Sequence, residues 1–96
     1  MKRLAFLILI ALTFAASPAA AQCYADYKAK QDNPLQLHYG VMDLPDSACG
    51  SKDAAADEIS GRIATDGWTL LNVMSIFGQE GLAERRESAG EYYLRY

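Results

Sequence analysis

Residues 24–30 alternate, with Ala25, Tyr27 and Ala29 on one side and Tyr24, Asp26, Lys28 and Lys30 on the other. A period of two with one polar side predicts a half-buried strand. Gln31-Asp32-Asn33-Pro34 supplies turn chemistry. Residues 35–42 then alternate again, Leu35, Leu37, Tyr39 and Val41 against Gln36, His38, Gly40 and Met42. So short a gap predicts an antiparallel hairpin, the first set facing inward. Over residues 53–66 the period lengthens, and Ala55, Ala56, Ile59 and Ile63 fall on one helical face. Ser51 is placed to cap this helix, Glu58 and Arg62 to pair along it, and Gly67 to end it in a left-handed turn.

Residues 68–77 are apolar on both sides, which predicts a central strand covered on two faces. Residues 78–90 form a long polar connection with room for a helical turn. Residues 91–96 alternate once more, Tyr92, Leu94 and Tyr96 against Glu91, Tyr93 and Arg95. The expected order is β-β-α-β-β. That is an α+β domain with a small, antiparallel-rich, four-stranded sheet and one helix on one face.

The N-terminus changes where this domain is expected to work. Lys2 and Arg3 precede an apolar run over residues 4–16, then Ser17-Pro18 and the small residues Ala19-Ala20-Ala21. This reads as a secretory signal peptide, too short to span a bilayer. Residues 1–21 are therefore the leader and residues 22–96 a single exported domain, periplasmic in a Gram-negative source and otherwise secreted. Without the leader, seven basic side chains face twelve acidic ones, a net charge of −5. That balance excludes general nucleic-acid binding and attachment to anionic membranes. In an oxidising compartment Cys23 and Cys49 have one possible pairing. The bridge would close a 26-residue loop, worth roughly 3–4 kcal/mol in the chain-entropy model.

The stretch Asp66-Gly67-Trp68-Thr69-Leu70-Leu71-Asn72-Val73 resembles the Glu-Gly-Trp-Glu-Leu-Val-x-Val box of a family of small bacterial domains, domain of unknown function 4177. The Tyr24-Ala-Asp-Tyr-Lys opening and the Tyr92-Tyr-Leu-Arg-Tyr ending are similar as well. Thr69 stands where the family has an acid, and the cysteine pair, the leader and residues 47–52 depart from its simplest members. The resemblance implies the fold and no activity. Trp68 reads as core, covering the helix end against the sheet.

Candidate chemistry is sparse. His38 is the lone histidine and falls on the polar side of its strand. Asp43, Asp46 and Asp53 read as turn and helix-dipole residues and match no metal-binding pattern. Arg85 and Arg86 are expected to pair locally with Glu80, Glu84 and Glu87. No cofactor motif and no catalytic set stands out. Strand parity marks a candidate binding face instead: Lys28, His38, Leu71, Val73, Tyr93 and Arg95, an apolar row between polar flanks. Either that face is open to a second copy or another exported protein, or residues 78–90 fold over it. A non-catalytic binding or interaction module is thus expected. The alternative is a small hydrolase or ligand-processing enzyme that uses His38 with a carboxylate, which requires His38 in a concave pocket beside an acid.

Overall fold

The computed structural model describes residues 23–96. The leader and its cleavage site lie outside the described residues. Strand β1 (Cys23–Gln31) and strand β2 (Gln36–Leu44) form the expected hairpin, antiparallel with Cys23 opposite Leu44 and Gln31 opposite Gln36. Helix α1 (Lys52–Ile63) follows. The Ser51 side chain accepts a hydrogen bond from the Ala54 N–H at 3.0 Å, satisfying one of the free donors of the first turn. Arg62 reaches back to Glu58 at 2.8 Å. The helix runs into a 3-10 turn (Ala64–Asp66) and stops at Gly67, whose φ of 83° suits a residue without a Cβ. Strand β3 (Thr69–Phe77) and the short helix α2 (Ala83–Ala89) complete the strands and α-helices among the described residues.

The domain is α+β, with a three-stranded antiparallel sheet in the order β2-β1-β3. Two expectations are corrected here. The central strand is β1, and the apolar β3 lies at an edge, because the connection through α1 carries the chain past β1 to its far side. The fourth strand is replaced by a 3-10 turn (Gly90–Tyr92) and a single parallel bridge between Val41 and Tyr93. Leu94 donates its N–H to the Val41 carbonyl at 2.9 Å, but its φ of 55° turns the chain out of the extended region. Alternation alone therefore did not make a ladder.

The core lies between α1 and one face of the sheet. Ala25, Tyr27 and Ala29 of β1 meet Met42 and Leu44 of β2, Val73 of β3, and Ala55, Ile59 and Ile63 of α1. Each fully buried isoleucine contributes about 1.5–3 kcal/mol by leaving water. The small alanines of β1 let the helix approach, and Tyr27 fills the space between. Its ring lies over Gly40, where a Cβ would come within 2.6 Å of the ring atoms. Trp68 closes the end of this core as expected, only 8% exposed. The disulfide Cys23–Cys49 is present and ties the start of β1 to the segment leading into α1.

The side of β2 that faces α1 is the opposite of the expected one. His38, Gly40, Met42 and Leu44 point into the core, while Leu35 and Leu37 are 64% and 65% exposed. The second face of the sheet is partly covered as well, by α2, so both rows of β2 carry buried residues. Val41 and Met42 are adjacent in sequence and both buried.

Candidate functional site

The second face divides into a covered half and an open half. Asp26 of β1 organises the covered half. It is 5% exposed and accepts hydrogen bonds from the Ser75 hydroxyl at 2.6 Å, the Tyr39 hydroxyl at 2.7 Å and the Arg85 Nε at 3.1 Å. Burial pushes its pKa up, but the three donors and the Arg85 charge outweigh burial and hold the carboxyl below its usual value. Burial and the neighbouring carboxylate push the Tyr39 hydroxyl up to about 12. Arg85 also donates to the Gly81 carbonyl at 2.8 Å and lies 4.0 Å from the centre of the Phe77 ring. Its partner is thus a strand residue 59 positions away, and of the expected local partners only Glu84 joins it, at 3.4 Å. This contact pins α2 to the sheet, so residues 78–90 do fold over part of the face.

Beyond the covered half lies an open cavity of about 250 Å³, lined by Lys28, Ala29, Leu37, His38, Tyr39 and Leu71. Leu37 and Leu71 give it an apolar wall in which each side chain is at least half exposed. Lys28 stands in this wall, and it forms no ion pair among the described residues. Tyr39 offers its ring, since its hydroxyl is committed to Asp26.

Of the six residues expected on one binding face, the structure brings Lys28 and Leu71 together. His38 borders the same cavity, but its ring belongs to the core side. Nε2 lies 3.0 Å from the Tyr27 hydroxyl, and the imidazole stacks on Tyr92 at 3.7 Å and meets Trp68 edge-on at 4.3 Å. Val73 is buried opposite Tyr27, because a bulge in β3 shifts the parity that would have exposed it. Tyr93 and Arg95 lie on the C-terminal segment beside β2. Tyr93 sits beneath the Arg86 guanidinium, and Arg95 pairs with Glu91 and covers the Tyr92 and Tyr96 rings. The contiguous apolar row expected along β3 is therefore broken.

Two residues of the cavity, Leu37 and Tyr39, were expected inside. The exposed Leu35-x-Leu37 pair just after the turn was the available signal, since a hairpin end projects beyond the reach of a short covering helix. The geometry required for His38 as a base is not met. Its polar neighbour is a tyrosine hydroxyl, no carboxylate among the described residues bonds to it, and Nδ1 is buried without a partner. Burial lowers the pKa of His38, Arg95 adds to that effect, and Glu91 opposes it. Comparison with protein families, curated proteins and solved structures finds no match to this chain.

Proposed function

We propose that this chain is a small exported, non-catalytic binding module that takes a protein partner at the open half of its sheet. The cavity carries this reading: two exposed leucines and an aromatic ring flank a lysine that has no acidic partner among the described residues. An apolar patch with a single charge at its edge favours a partner that presents an apolar side chain beside a carboxylate. The disulfide supports export, since such bridges persist in oxidising compartments. Kinship with domain of unknown function 4177 stays part of the proposal and rests on the sequence box of residues 66–73.

The test is affinity capture of the tagged protein from its native exported fraction, wild type beside Leu37→Glu and Lys28→Glu. The Leu37 side chain is largely exposed, so its replacement is expected to leave the fold intact. The expected result is a partner retained by wild type and lost with both variants. Equal recovery by all three, or no partner for wild type, refutes the reading. Mass spectrometry of the recovered chain tests export independently, with the mature protein expected to begin near Gln22.

A further inference from the structure

The outer side of β3 has no strand partner among the described residues. Its nine residues, Thr-Leu-Leu-Asn-Val-Met-Ser-Ile-Phe, include no charge, no proline and no glycine. An edge of this kind presents a row of N–H and C=O groups ready to accept another strand, and proteins usually block it with lysine, proline or a covering segment. The opposite edge of this sheet is blocked in that way, by the Val41–Tyr93 bridge and the Leu94–Val41 hydrogen bond. On β3 the corresponding device is limited to two bulges against β1, which leave Leu71 and Met74 without an opposite residue and substantially exposed.

We propose that β3 pairs antiparallel with β3 of a second copy of this chain, making one six-stranded sheet across a two-fold axis. The strand's lack of charge permits this occupant, and its self-complementarity favours it. The described residues carry twelve acidic and seven basic side chains, so two copies repel as whole bodies. β1 carries Asp26, Lys28 and Lys30, and β2 carries Asp43, but β3 carries none. Two like-charged domains can therefore meet along β3 with the least repulsion at the contact itself. A basic partner finds no acid on this strand to dock against. Antiparallel self-pairing is also isologous, so the same open edge serves both copies. Met74, next to the middle residue of the strand, would then lie close to its own copy across the axis.

The edge adjoins the cavity at Leu71, and the experiment keeps the two apart by substituting residues that belong to one of them. Sedimentation velocity of the mature protein over micromolar to near-millimolar concentration should show a dimer, with protection of the β3 amides against hydrogen exchange rising as the dimer forms. Met74→Lys and Met74→Glu should each weaken dimerisation roughly tenfold or more, because like charges then face each other. An equimolar mixture of the two should restore it. Asn72→Lys serves as a second edge variant should Met74→Lys lose the wild-type Trp68 fluorescence. Leu37→Glu, on the cavity, should dimerise like wild type even where it loses a captured partner. A monomer at every concentration, a folded edge variant that dimerises like wild type, or a mixture that stays monomeric overturns the proposal.

Discussion

Replacing Asp26 by Asn tests whether one buried charge holds α2 against the sheet. The carboxylate receives Tyr39 and Arg85 on Oδ2 and Ser75 on Oδ1. An asparagine keeps one acceptor oxygen and gains an N–H₂ group. The least costly orientation places that group toward Ser75, whose hydroxyl can rotate and accept. Tyr39 and Arg85 then keep an acceptor, but a neutral one. Hydrogen bonds to charged groups contribute about 1.5–3 kcal/mol against about 1 for neutral ones, and two such bonds are weakened. Arg85 also loses its counter-ion while remaining only partly exposed. The expected loss is about 2–3 kcal/mol at pH 7, which for a domain this small lowers Tm by roughly 10–20 °C.

The assay is urea unfolding followed by the emission of Trp68, the lone tryptophan. The pH dependence supplies an internal check. The folded carboxyl titrates below its ordinary value of 3.8, so its stabilisation is complete above that value and is lost as pH falls through the folded pKa. The gap between wild type and Asp26→Asn should therefore narrow at pH 3 and below. A variant within about 0.5 kcal/mol of wild type at pH 7 would refute the reasoning. So would a gap that stays constant into acid.

Three further outcomes follow from the core. Reducing the Cys23–Cys49 bridge, or replacing both cysteines by Ala, should cost roughly 3–4 kcal/mol for its 26-residue separation, measured by urea unfolding with and without reductant. Gly40→Ala places a methyl group against the Tyr27 ring and should destabilise by about 1–3 kcal/mol, while Gly61→Ala, with open space around it, should be neutral or stabilising by thermal melts. His38 is held neutral by burial, so the unfolded chain takes up a proton near pH 6.5 before the folded one does. Stability should be complete above about pH 6.5 and fall as pH drops toward the folded pKa, and His38→Gln should remove that slope between pH 7.5 and 5. Parallel curves for the two proteins would contradict the buried assignment.

The residues that act on their near neighbours were legible in the chain. Ser51, the Glu58–Arg62 pair and Gly67 bracket α1 through contacts within four positions, and a turn-rich tetrapeptide sets the hairpin. Two cysteines leave one bridge to form. Of the residues lining the cavity, Lys28 and Leu71 were among those expected on the outer face, while Leu37 and Tyr39 were expected on the inner one.

The α+β class, the flanks of α1, the hairpin and the covalent staple could be read from the chain alone, because each depends on backbone geometry or on counting. Which face of β2 is buried, which strand is central and where the last segment goes depend on how the elements pack together. Alternation reports that a strand has two sides, and it cannot say which side a distant helix will cover. Here α1 covers one side and α2 the other, so the two rows of β2 are both partly inside. The choice rests on contacts between residues far apart in the chain: Tyr27 over Gly40, Tyr92 stacked on His38, and Arg85 reaching Asp26.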